Sequence, residues 1–184
     1  MSIRISITGD LGSGKSTVCQ ELNKTYGLRA FSTGTIQRRI AEEKGMSTFE
    51  LNKYAETHPE IDDQIDGELK ALSGSDFDLV IDSRMAWHFV ENTFKVYLIT
   101  DEAVSARRIF ADKRGPSEKY TNTEHALEHL RARKISENLR YREKYGVDCY
   151  DMSNYDYVLD TTELTIEETA VLIMQEYAKW TQQH

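Results

Sequence analysis

Short apolar runs alternate along this chain with stretches whose apolar residues recur at helical spacing, and the alternation predicts most of its elements. Ile3 to Thr8 is rich in β-branched residues, as strands are, and runs directly into a glycine-rich turn. Lys15 to Tyr26 then reads as a helix stopped by Gly27. Leu28 to Ser32 can form a short second strand, and Thr35 to Lys44 a helix whose Ile36, Ile40 and Ala41 share one face before Gly45. The Ser-Thr-Phe-Glu stretch from Ser47 has the form of a capping box, and Pro59 opens a further helix that ends near Leu72. Asp78 to Asp82, with Leu-Val-Ile at its centre, and Phe94 to Thr100 are short apolar runs of the kind found in strands buried on both faces. Asp101 to Lys113 reads as a helix broken by Gly115-Pro116-Ser117, and Thr123 to Tyr145 as a long charged helix stopped at Gly146. Tyr155 to Asp160 is the last predicted strand; Thr165 to Trp180 is the last helix, with Ile166, Ala170, Ile173 and Tyr177 as its apolar stripe. Strands separated by helices predict an α/β fold in three layers, a central parallel sheet covered by helices on both faces.

Composition narrows the class. At 184 residues, with 39% apolar and 29% charged residues and only two prolines, the chain is expected to form one domain with a self-sufficient core. Cys19 and Cys149 show neither metal-ligand nor CxxC spacing, and the five histidines no metal-site spacing, which predicts reduced thiols and no structural metal. The longest apolar runs, about five to six residues, are too short to span a bilayer, and the first residues read as a strand rather than a signal peptide, so a soluble, cytoplasmic protein is expected. A net charge of −8 repels phosphate backbones and argues against nucleic-acid binding. A small polyanion would need locally concentrated cations and backbone amides.

Gly9-Asp10-Leu11-Gly12-Ser13-Gly14-Lys15-Ser16 supplies them. It matches GxxxxGK[ST] at every fixed position and lies between a predicted strand and a predicted helix, as a phosphate-binding P-loop must. The glycines let the backbone N–H groups turn inward, and the following helix adds the positive end of its dipole. In that chemistry Lys15 bridges the β- and γ-phosphates of ATP and the Ser16 hydroxyl ligates Mg²⁺, with Gly9 to Thr17 as the nucleotide-binding segment. The loop does not by itself separate GTPases, motor ATPases and small-molecule kinases. A GTPase is disfavoured because Asn23-Lys24-Thr25-Tyr26 has Tyr where an NKxD signature needs Asp, and a motor ATPase needs a longer chain.

Several cations and carboxylates are placed to complete a site. Arg38 falls in the first turns of a predicted helix, where a guanidinium can grip phosphate bidentately; the alternative is a solvated face beside Arg39. Asp82 ends a predicted central strand, at the edge where ligands bind in open α/β sheets, and Arg84 follows two residues later. Asp82 could hold Mg²⁺ or the acceptor sugar or base, or merely cap the next turn. Arg133 and Arg140 are seven residues apart and project from the same side of the long helix, although Glu128, Glu137 and Glu143 could pair with such arginines. Trp87, His88 and Phe89 read as packing residues.

The order and spacing of these pieces resemble the nucleoside monophosphate kinases, specifically the compact archaeal-type cytidylate kinases and their cytidylate kinase-like bacterial relatives. The matching segments are residues 12–17 and 32–38, Asn52-Lys53-Tyr54, His58 to Asp62, residues 80–84 and 106–109, Arg133 with Ser136-Glu137, Arg140-Tyr141, residues 145–148, and Tyr155-Asp156 with residues 159–161. The resemblance implies a P-loop kinase core (1–34, 73–112, 147–184), acceptor-binding helices (35–72) and an arginine-bearing lid (113–146). It assigns Ser32, Gly34, Arg38, Asp62, Asp82 and Arg84 to the acceptor, Arg133 and Arg140 to the lid, and Arg108 to packing against the adenine of ATP. The implied reaction is Mg·ATP-dependent phosphorylation of CMP or dCMP by a monomer or weak homodimer. Ser83 stands where the family often has Gly, and Arg84-Met85 where an Arg-Asp pair is common. Acceptors such as AMP, UMP or dephospho-CoA, and a regulatory ATP-binding role, therefore stay open.

Overall fold

A computed structural model of the chain describes residues 2–111 and 120–183. Its five strands, β1 (Arg4–Gly9), β2 (Arg29–Ser32), β3 (Leu79–Asp82), β4 (Phe94–Ile99) and β5 (Tyr157–Asp160), form one sheet in the order β2-β3-β1-β4-β5 with every pairing parallel. The helices are α1 (Lys15–Tyr26), α2 (Thr33–Glu43), α3 (Thr48–Ala55), α4 (Glu60–Ser73), α5 (Ala86–Phe89), α6 (Glu102–Ala111), α7 (Thr123–Tyr145) and α8 (Ile166–Trp180), with a 3₁₀ turn at Met152–Asn154. The predicted three-layer α/β/α architecture is the one observed. The Gly115-Pro116-Ser117 break, with Lys113 and Arg114, lies outside the described residues.

Two cores sandwich the sheet, because alternate strand residues face opposite sides. Ile5, Ile7, Val80, Val96 and Leu98 pack on one face against Val18, Cys19 and Leu22 of α1 and Ala170 and Ile173 of α8. Leu79, Ile81 and Tyr97 pack on the other against Leu69 of α4, Trp87 of α5 and Tyr141 of α7. On that second side β1 presents Ser6 and Thr8, whose hydroxyls are satisfied by Thr93 Oγ1 (3.0 Å) and the Ser83 carbonyl (2.9 Å). A third cluster, Ile36, Ile40, Leu51, Ala55, Ile61 and Ile65, binds α2, α3 and α4 into a helical unit beside the sheet. Both cysteines are free and buried.

The topology places the site. From β1 the chain crosses β3 to reach β2, whereas from β3 it crosses β1 to reach β4. Adjacent strands thus send their connections in opposite directions, and the crevice beyond their C-terminal ends is a switch point where open α/β sheets bind ligands. The register sets Ile7 and Ser32 on either side of Asp82 at that edge.

Helix limits follow local signals closely. At α8, Thr165 Oγ1 accepts from Glu168 N (3.1 Å) while Glu168 Oε2 accepts from Thr165 N (2.8 Å). Because this capping box satisfies two end groups of a helix that covers one core, Thr165→Ala should lower unfolding free energy by about 1 kcal/mol. Urea denaturation checks this, with an unshifted midpoint as the contrary result.

Candidate active site

The phosphate loop is shaped by close backbone approaches. Gly9 has φ +148°, and a Cβ there would lie 2.3 Å from the Leu98 carbonyl oxygen; at Gly12 it would lie 2.8 Å from that of Ser105. Neither position has room for a side chain. Gly14 enters α1 in the left-handed region (φ 87°), with no side-chain cap and no acidic residue in the first turn. Unlike α3 and α8, which carry capping boxes, α1 keeps its N-terminal amides and dipole for a ligand. Lys15 Nζ donates to the Gly9 (3.0 Å) and Asp10 (2.5 Å) carbonyls, so its charge rests on the loop itself.

At the end of β3 the buried Asp82 carboxylate accepts from Ser16 Oγ (2.5 Å) and Ser32 Oγ (3.1 Å) through the same oxygen, Oδ2. Three residues from three segments therefore meet on one atom. This hydroxyl–carboxylate set fits Mg²⁺, which takes few protein oxygens and completes its shell with water and phosphate. Among the described residues no group of three or more His, Cys, Asp or Glu could cage a metal.

Beside the loop, lining the same cleft, stand arginines organised by one carboxylate. Glu137 of α7, 1% exposed, receives Arg84 Nε at 3.0 Å and Arg133 Nε at 2.7 Å. Burial alone would raise the Glu137 pKa, but Arg133 and Arg84 outweigh it and hold the carboxyl at about 2. Burial also works against charge on Arg84, yet the adjoining Glu137 lifts its pKa well above the ordinary value. Arg84 also donates to the Gly9 carbonyl, and Arg133 Nη2 to Gln37 Oε1 at 3.0 Å, which ties the arginines to the loop and to α2. Arg38 and Gly34 line the same cleft with Lys15, Ser16, Asp62, Asp82, Arg84 and Arg133. Arg39 is the solvated neighbour, 4.0 Å from Glu43. The cleft measures about 780 Å³ including its part open to solvent, in the range of small-molecule sites.

Other residues singled out in the sequence fall elsewhere. Asp10 turns away from the cleft, its carboxylate accepting from Tyr97 OH and Lys134 Nζ, both at 3.2 Å. The Ser13 side chain is buried under the loop on the Asp10 carbonyl (2.8 Å), and Thr17 is exposed on α1. Arg108 Nη2 donates to the carbonyls of Thr161 (3.0 Å) and Thr162 (3.2 Å), and Thr161 Oγ1 in turn to the Ser13 carbonyl (3.2 Å). Arg108 thus stands beside the loop and braces it. Arg140, expected to face the phosphates with Arg133, is buried behind the cleft on Asp62 (2.7 Å) and on the carbonyl and side-chain oxygens of Asn52 (3.2 and 3.1 Å). It joins α7 to α3 and α4. Trp87 packs as expected, its Nε1 donating to the Arg84 carbonyl at 2.9 Å.

In the sequence Glu137 stands in a segment matching the family and as a possible counter-ion, with no role of its own in the site. A usable signal was present: the buried positions of α7, Ala126, Leu130, Glu137, Arg140 and Tyr141, continue one stripe from apolar into charged residues. Charge on a buried stripe marks an internal network rather than a solvated face. It also sets a pH dependence. The folded-state pKa lies below the ordinary 4.5, so Glu137 contributes fully above pH 4.5 and its contribution, about 3 kcal/mol, disappears as pH falls toward 2. Glu137→Gln should flatten the dependence of the urea midpoint on pH in that window and destabilise the protein near pH 7. A variant with the wild-type acid slope would contradict the assignment.

Comparison with known proteins agrees with this geometry. The family profile described as an AAA domain matches residues 5–129. The cytidylate kinase of Thermoplasma volcanium is 38% identical over 94% of this chain and 90% of its own, and that of Pyrococcus abyssi is 35% identical over 92% and 90%. An S-adenosylmethionine-dependent nucleotide dehydratase of Lacinutrix mariniflava is 35% identical over 97% of this chain, which spans only 37% of that protein. Among solved structures, an uncharacterized protein from Eubacterium ventriosum superposes with a TM-score of 0.70 at 14% identity, covering 96% of this chain and 99% of that one. A shikimate kinase from Bacteroides thetaiotaomicron gives 0.62 at 17%, covering 96% and 98%. At such identities the structural likeness concerns the fold alone. The full-length relatives and the phosphate loop facing an arginine cluster agree, and the chain belongs to the cytidylate kinase family of P-loop nucleoside monophosphate kinases.

Proposed function

We propose that the protein transfers the γ-phosphoryl group of ATP to CMP or dCMP, giving the nucleoside diphosphate and ADP. The observation that carries this reading is a single cleft that Lys15 and Ser16 of the phosphate loop line together with Arg38, Arg84 and Arg133. A hydrolase or switch needs one phosphate cradle; a second set of cations facing it suits a second phosphorylated substrate. The cytidylate kinase relatives favour cytosine as the base of that substrate.

In this reading the glycine-loop amides and Lys15 hold the terminal phosphates of ATP, and Arg38 with Arg84 orients the acceptor phosphate in line with the γ-phosphorus. A phosphate oxygen of the acceptor forms the new P–O bond as the bond to the β,γ-bridging oxygen breaks, and ADP leaves. An acceptor phosphate is already anionic, so the step needs no protein base. Arg133 meets the charge that develops on the transferring group. Ser16 and Asp82 would hold Mg²⁺, which when bound neutralises phosphate charge. The helices α2 to α4 bind the acceptor and α7 covers the site, excluding water that would otherwise hydrolyse ATP.

ADP release measured with ATP and a panel of CMP, dCMP, UMP and AMP tests the reading directly; absence of acceptor-stimulated turnover would refute it. Lys15→Met should abolish turnover while the fold persists, and near-normal activity would remove the loop from the reaction. Arg38→Ala should raise the acceptor KM roughly tenfold or more, with the ATP KM little changed. A defect confined to ATP would move Arg38 to the other substrate.

A further inference from the structure

The lining of the cleft is not polar throughout. Ile65, Leu69, Met85 and Tyr141, all buried, give it an apolar part, and besides Asp62 and Asp82 it includes a single further carboxylate. That group is Asp66, 5% exposed, one helical turn after Asp62 on the cleft-facing side of α4. The two carboxylates are differently committed. Asp62 is neutralised by Arg140 at 2.7 Å. Asp66 forms no ion pair among the described residues, and its Oδ2 accepts a short hydrogen bond from the Tyr145 hydroxyl. A carboxylate can accept about four hydrogen bonds, and a buried one with acceptor capacity to spare calls for a donor from the ligand.

We infer that Asp66 reads the acceptor base by accepting a hydrogen bond from the exocyclic amine of a 4-aminopyrimidine, and so discriminates CMP from UMP. The inference rests on the reading of the cleft as the acceptor site. Cytosine presents an N4 amine where uracil presents a carbonyl oxygen. A carboxylate rewards the first and repels the second, which discriminates by attraction and by repulsion at once. The apolar part of the lining suits the faces of a planar base, and the arginines of the same lining suit its phosphate. Burial raises the Asp66 pKa, with the Tyr145 hydroxyl pulling in the opposite direction, in keeping with a carboxylate short of partners. Tyr145 itself, held by its bond to Asp66, fixes which oxygen faces the cleft.

The test compares kcat/KM for CMP, UMP and the amine-free analogue pyrimidin-2-one ribonucleoside monophosphate in the wild type and in Asp66→Asn. The wild type should prefer CMP over UMP, and over the amine-free analogue, by roughly tenfold to a hundredfold. In Asp66→Asn the CMP-to-UMP ratio should fall by roughly tenfold or more, and the loss should be larger with CMP than with the amine-free acceptor. The wild-type analogue comparison needs no variant, so a poorly folded Asp66→Asn protein leaves it intact. Equal use of CMP and the amine-free analogue by the wild type, an unchanged ratio in the variant, or equal losses on both acceptors would each overturn the inference while the kinase reading stands. A wild type that phosphorylates no nucleoside monophosphate would remove both.

Discussion

A cleft that receives two polyanions has to concentrate cations, and concentrated cations repel one another in the unliganded protein. Here the buried Glu137 carboxylate resolves that conflict by standing between Arg84 and Arg133. Each guanidinium gives one N–H to a different oxygen of that anion and is held charged and oriented. The arrangement depends on α7, which packs beside α3 and α6 and carries Glu137 into the interior. The position of α7 is secured by Arg140 on Asp62 and Asn52 and by Asn52 Nδ2 on Ser136 Oγ at 3.0 Å. Breaking a buried pair of this kind typically costs about 3–5 kcal/mol, so these contacts hold α7 firmly against α3 and α4.

The sheet makes the complementary contribution. Register alone brings Ser32 and Asp82 together, and the hydroxyl of Ser16 reaches the same oxygen from the first turn of α1. Carrying Asp10 away toward Tyr97 and Lys134 leaves the inner surface of the loop to backbone amides and Lys15. The overall negative charge of the protein is thus no obstacle to phosphate binding, because cations and N–H groups are gathered at one edge.

Most of the fold was legible because its signals are local. The limits of α1 and α7 follow from left-handed glycines at 27 and 146, and the starts of α3 and α8 from capping boxes. The four-residue α5 was not legible, since Ala86–Phe89 is too short to show a helical period. The last strand begins at Tyr157 rather than Tyr155, because Tyr155 leaves the ladder to pack in the core and donate its hydroxyl to the Cys149 carbonyl at 2.7 Å. In the site, the phosphate loop could be read as a contiguous motif. The partners of the arginines could not: Arg84 and Glu137 are 53 residues apart, and Arg140 and Asp62 are 78 apart. Which of two arginines on one helix side faces the ligand depends on what the opposite wall supplies, and that is a property of the tertiary structure.

If one cleft holds the two nucleotides with their phosphates meeting at the loop and the arginines, a ligand that combines both substrates should fill it. Calorimetric titration with a bisubstrate analogue, adenosine and cytidine joined through their 5′ positions by five phosphates, measures this most directly. One equivalent should bind, at least ~100-fold more tightly than CMP alone, because linkage makes the second contact intramolecular. Binding of two equivalents, or an affinity no greater than that of a single nucleotide, would contradict it.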